Sequence, residues 1–241
     1  MKGTLLNTAT VIGGSIAGML IGSLLPDSAE SLVMSALGII TVTIGMKYLL
    51  GTKNLAWLCV ALVVGGLIGL CLHLHDGLVG FAEWAQNQFK GQGGFAEGFV
   101  AASVLFCVGP MTILGCIEDG VEGKSESLMI KSTMDGFAAI FLAATFGAGV
   151  LLSAAFVLVV QGLLTLFASK LAFLREDTEA MNELCSAGGG ILLLIGLSLL
   201  DLKKSPTANF LPSLILAPAL VRLSRRWLGG TKQSPASPSQ L

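Results

Sequence analysis

"SLMIKSTMDGFAAIFLAATFGAGVLLSAAFVLVVQGLLTLFA", residues 127–168, sets the architecture of this chain. From Gly136 to Ala168 it carries no charged side chain. A helix rising 1.5 Å per residue needs about 20 apolar residues to cross the hydrocarbon of a bilayer. The run is long enough for two crossings, and "GAG" at 147–149 is its turn signal. It reads as two neighbouring antiparallel helices, near 128–147 and 150–169.

The rest of the 241-residue chain has the same character: 54% of residues are hydrophobic and only 12% charged. Mean hydropathy is +0.83. Soluble domains carry about 25% charged residues, so the polar surface here is too small to cover a water-soluble globule. An all-α integral membrane protein is the expectation, as one transmembrane domain over 1–228. Apolar segments near 4–25, 31–50, 55–74, 98–117, 181–201 and 208–224 join the two above, giving about eight spans, or seven if 208–224 fails, since Pro212 and Pro218 interrupt it.

The basic residues orient the bundle. With a cytoplasmic N-terminus, eleven Lys and Arg fall on inside loops and flanks, and three (Lys90, Lys203, Lys204) fall outside. That asymmetry matches the positive-inside rule and needs an even number of spans. Both termini are therefore expected on the cytoplasmic side of the membrane. Residues 75–97, with Leu78, Phe81 and Trp84 near helical spacing, read as an amphipathic helix lying in the outer interface. Residues 229–241 read as a disordered cytoplasmic tail.

"SALGIITVTIGMKYLL" at 35–50 resembles "SAGGGILLLIGLSLLD" at 186–201. The first would run inward and the second outward, as in an inverted repeat of spans 1–3 and 6–8 around a central helix pair. In the first span Gly14, Gly18 and Gly22 form a doubled G-x-x-x-G, a face on which helices touch backbone to backbone. It could serve packing within the chain or a homo-oligomer.

Candidate site residues are the polar and helix-breaking groups inside spans. Gly109-Pro110 interrupts the fourth span, because proline lacks an N–H and clashes with the preceding turn. A broken helix exposes backbone groups that lipid cannot satisfy, so they must be buried or line a wet cavity. Asp135 lies about 12 Å along the fifth span, where an ionised carboxylate is costly unless paired. Lys131, four residues earlier, shares its face. Ser132 and Thr112 offer hydroxyls nearby. Glu118 and Asp119 close the fourth span and read as a mouth or as partners of the fifth helix. Gly188, Gly189 and Gly190 mark either an unwound segment or a close crossing. Asn7 and Gln161 are further intramembrane polar groups, expected to bridge helices or meet substrate.

The net charge of −1 leaves no basic face for nucleic acid. The cysteines fall in or beside apolar segments without metal-ligand spacing, and His73, His75 and Asp76 read as a wet interfacial cluster rather than a metal site. No cofactor motif and no nucleophile–base pair is present, which points away from an enzyme.

"GPMTILGCIEDG", "IKSTMDGFAAIFLA", "FGAGVLLSA", "QGLLTLFA", "LCSAGGGILLLIGLSLL" and "NFLPSLILAPAL", in this order, resemble the YdfK/YqgA-type family of bacterial inner-membrane proteins, a family of unknown function. The resemblance runs from about Lys2 to Val221. It implies a multi-pass protein of the cytoplasmic membrane and brings neither substrate nor site residues. On the residues alone, a secondary transporter or permease for a small solute or ion leads. The alternatives are an ion channel, told apart by single-channel currents, and a non-transporting scaffold or sensor, told apart by tolerance of changes at Lys131 and Asp135.

Overall fold

The computed structural model describes residues 1–24, 26–89 and 94–228, and the expected tail at 229–241 lies outside them. The described residues form helices α1 (Lys2–Gly22), α2 (Asp27–Leu49), α3 (Leu55–Cys71), α4 (Leu74–Phe89), α5 (Phe95–Cys107), α6 (Pro110–Ile117), α7 (Glu126–Phe146), α8 (Ala148–Leu166), α9 (Ala168–Leu171), α10 (Phe173–Glu176), α11 (Thr178–Leu199) and α12 (Ser213–Leu228). A π-helical turn, Glu118–Glu122, follows α6, and a 3₁₀ turn, Thr207–Phe210, precedes α12. Six helical stretches are long and apolar enough to cross a membrane. Counting each of the bent pairs α3–α4, at 50°, and α5–α6, at 56°, as one span raises the number to as many as eight.

The distribution of side chains is that of a protein solvated by lipid. Leu20, Leu32 and Val63 stand exposed on α1, α2 and α3, while Asn7, Lys131, Asp135, Gln161 and Glu183 are buried. The molecule is an all-α integral membrane protein. The core centres on α5, whose Phe99, Ala102 and Phe106 pack with Ala139 and Ala143 of α7, Val150 and Val157 of α8 and Ile191 of α11. At Gly147 the chain turns with φ of 63° between α7 and α8, where a Cβ would be strained. His73, at φ 52°, turns α3 into α4. That helix leaves Phe81 and Trp84 exposed and buries Ala82 and Ala85 against protein.

Without a hydrophobic drive between helices in lipid, close backbone approach selects partners. Gly14, Gly18 and Gly22 of α1 lie against the carbonyls of Gly136, Ile140 and Ala144, so α1 and α7 run parallel. A second copy of the chain would have to displace α7 to use this glycine face. Gly149 of α8 backs onto the Phe95 carbonyl in the same way, and α8 runs parallel to α5. The α2–α11 pair is antiparallel: Gly38 meets Gly196 and Leu200, while Gly189 meets Gly45 and Leu49. When 35–50 is laid on 186–201, these two sets of contacts exchange. The α3–α12 pair is also antiparallel, with Gly65 against Ser213 and the Gly69 face against Asn209. Exchanging α1 with α8, α2 with α11, α3 with α12 and α5–α6 with α7 keeps the α2–α11 and α3–α12 crossings and carries α1–α7 onto α8–α5, but α11 also packs on α12 where α2 and α3 hardly meet, so the exchange holds only in part.

Candidate functional site

The break between α5 and α6 follows from one missing proton. In a continuous helix the Phe106 carbonyl would accept from the N–H of residue 110, but Pro110 has none. The Thr112 hydroxyl takes that place, donating to the Phe106 carbonyl at 3.1 Å. Gly109 adopts an extended conformation, φ −74° and ψ 145°, and Pro110 starts α6 at its first turn, where a missing N–H does least harm. The Thr112 hydroxyl proton is therefore committed to repairing the break.

Lys131 and Asp135, one turn apart on α7, are both buried and form an ion pair. The same carboxylate oxygen of Asp135 accepts from the Asn7 side-chain amide of α1 at 3.0 Å. The Lys131 Cε lies 3.9 Å from the position a Cβ on Gly109 would take, so the lysine stem runs beside the break. Gly109, Thr112, Lys131, Asp135 and Asn7 thus meet where α1, α6 and α7 come together. Two features of this region lack partners among the described residues: the Asn7 Oδ1 and both amide atoms of the fully buried Gln161. Asn7 does bridge helices as expected. The Gln161 amide does not, although the Gln161 backbone carbonyl accepts from the Cys116 thiol at 3.7 Å.

Other candidates stand elsewhere or do different work. The Ser132 hydroxyl donates back to the Leu128 carbonyl at 2.6 Å, within its own helix. Glu118 accepts from Ser127 at 2.6 Å, at the start of α7, which agrees with a partner of the fifth helix. Asp119 is no open mouth: it is buried and accepts from the Gly3 N–H at 3.2 Å, Ser125 at 2.8 Å and the Met1 ammonium at 2.8 Å. Both acids secure helix starts at the Met1 end of the bundle, eight or more residues of α7 away from Asp135. Gly188–Gly190 are not unwound, since α11 is continuous across them. They mark a crossing: Gly188 sits against the Val108 carbonyl at the break, Gly189 against α2, and Gly190 against Leu62 of α3.

Glu183 escaped the sequence reading. Fully buried, it accepts from the Thr52 hydroxyl at 2.7 Å and from the backbone N–H groups of Lys53 at 2.9 Å and Asn54 at 3.3 Å. It thereby satisfies donors at the start of α3. The rule that singled out Asp135, an acid inside an apolar segment, applies equally to Glu183 in 181–201.

Beyond the break, on the side away from α7, lies an apolar cavity of about 440 Å³ to which Cys107 and Val108 contribute wall. Lys131 and Asp135 are not among its lining residues.

A multi-pass, all-α membrane protein with a charge pair buried against a broken helix is the class that fold and site define. The chain belongs to the family described as "Protein of unknown function (DUF554)", which it matches over residues 2–222. It is 34% identical over 225 residues to the uncharacterised membrane protein YdfK of Bacillus subtilis (strain 168), covering 92% of this chain and 96% of YdfK. It is 32% identical over 232 residues to the uncharacterised protein YqgA of Escherichia coli (strain K12), covering 93% and 97%. No solved structure matches the chain.

Proposed function

We propose that the chain is a secondary transporter or permease for a small solute or ion, with its site where the α5–α6 break meets Lys131, Asp135 and Asn7. One observation carries this reading: an ion pair buried among helices touches the single bent span whose backbone ladder is interrupted by proline. A neutralised pair of this kind contributes little to stability over apolar packing, so its presence asks for another purpose. A proton or cation arriving at Asp135 competes directly with Lys131. Displacing the ammonium moves charge beside Gly109, where the helix is already divided and can pivot. Asn7, whose amide nitrogen holds Asp135, offers its unpartnered oxygen to the arriving group.

The experiment is transport by purified protein in liposomes loaded with a pH-sensitive dye. Amino acids, small carboxylates and alkali cations are applied across proton and sodium gradients. At least one should drive a saturating response that Asp135→Asn abolishes. Unchanged coupled transport by Asp135→Asn would sink the reading. The distribution of Lys and Arg supports an inner-membrane location with both termini cytoplasmic; a reporter fused after Trp227 that registers outside the cytoplasm would contradict it.

A further inference from the structure

The cavity beyond the break is walled by Phe156 and Val160 of α8 and by Ile215, Ala219 and Arg222 of α12. Its volume lies within the range of ligand pockets, and protein interiors do not leave such a space unfilled. Water is a poor occupant, because a buried water needs several polar partners and these walls offer hardly any. The opening faces the apolar perimeter: Ile215, one of the wall residues, is 75% exposed. A hydrocarbon chain sliding in from the bilayer satisfies these conditions.

At one end of the cavity stands its single charged wall residue, Arg222. Its guanidinium lies over the Phe173 ring, 4.0 Å from the centroid, and its Nε donates to Asp177 at 3.0 Å. The two terminal amino groups of Arg222 make no hydrogen bond among the described residues. Asp177 is already satisfied by Ala180, Arg222 and Arg225. Arg222 also lines the polar depression formed with Asp177, Leu223 and Arg225 at the end of the bundle. A planar guanidinium with unused donors, set between an apolar slot and a polar rim, suits a phosphate.

We propose that this cavity binds one phospholipid taken laterally from the bilayer, with an acyl chain in the slot and the phosphate on Arg222. The site is distinct from the proposed transport site, since Lys131 and Asp135 do not line it. Because Cys107 and Val108 form part of its wall, the bound chain props the break from behind.

The test is native mass spectrometry of the delipidated full-length protein titrated with phosphatidylglycerol, a diacylglycerol of the same acyl chains, and oleate. The wild type should retain one phosphatidylglycerol about tenfold more tightly than the diacylglycerol, which lacks the phosphate, the scale expected for one charge-assisted contact. Ala219→Trp, which fills the slot and keeps the Arg222–Asp177 pair, should abolish the retained lipid. Arg222→Gln should erase the preference between the two lipids. Ile16→Trp, on the exposed face of α1, should change neither. Equal retention of both lipids by the wild type, phosphatidylglycerol surviving Ala219→Trp, or displacement by oleate would each overturn the proposal. Should Arg222→Gln fail to fold, the Ala219→Trp result decides alone.

Discussion

The Lys131–Asp135 pair allows a double-mutant test whose outcome depends on burial. The side chains are 7% and 10% exposed, and a buried pair broken on one side strands a charge at a cost of about 3–5 kcal/mol. Lys131→Met leaves the carboxylate with only the Asn7 amide; Asp135→Leu leaves the ammonium with nothing. Replacing both removes both charges, and such exchanges are close to neutral or better. Here the double variant also strands the Asn7 amide nitrogen, costing about 1–3 kcal/mol. In a chain of this size 1 kcal/mol moves Tm by roughly 2–4 °C. Each single variant should therefore melt about 10 °C below the wild type, and the double variant only a few degrees below. Thermal unfolding in nanodiscs, followed by tryptophan fluorescence, reads the difference. If the two single losses simply added in the double variant, the side chains would not be coupled, and the buried-pair argument would fail.

Three further outcomes follow from named contacts. Gly18→Ala places a methyl against the Ile140 carbonyl and should cost about 1–3 kcal/mol in thermal stability, whereas Gly13→Ala, with open space around it, should stabilise α1 by about 0.5–1 kcal/mol; equal effects would contradict the α1–α7 packing. Glu183→Ala strands the Lys53 and Asn54 N–H groups and the Thr52 hydroxyl, so it should lower stability by at least about 3 kcal/mol and Glu183→Gln by less. Partial burial of Asp177 works against its charge, but hydrogen bonds from Arg225, the Ala180 N–H and Arg222 outweigh that and hold its carboxyl at about 2, below an ordinary 3.8. The stabilisation is then fully present above pH 4 and lost as pH falls through 2. Asp177→Asn should trail the wild type by about 2 kcal/mol at pH 6 and converge with it near pH 2, and a gap that persisted at pH 2 would refute the linkage.

Much of the fold was legible because lipid imposes a length and a composition on every span. The hairpin at Gly147, the broken fourth span and the buried acid at 135 could all be read from residue types alone. The sequence could not say which helices embrace, since in lipid every apolar face is equally acceptable and pairing turns on backbone approach. The glycines of α1 announced a packing face, but their partner on α7 is a strip of Gly136, Ile140 and Ala144 with no matching motif. Loop acids misled for a related reason. Asp119 read as a mouth because it follows a span, yet the chain folds Gly3 and Ser125 onto it. Gln161 is the converse: expected to bridge, it is buried with neither amide atom satisfied.

The two halves of the molecule also argue for where function lies. Gly38 and Gly189, and Gly45 and Gly196, hold equivalent places in the α2–α11 crossing, so this crossing obeys the exchange. The central elements do not. The exchange carries α5–α6 onto α7, but one is divided at Gly109-Pro110 and the other is continuous and bears Lys131 and Asp135. Helices that share matching glycine crossings have little structural reason to differ at the centre between them. The departure coincides with the buried charges and with the Thr112 repair of an interrupted ladder. The buried pair and the interrupted ladder thus fall together where the exchanged elements differ, which is where the proposed transport site lies.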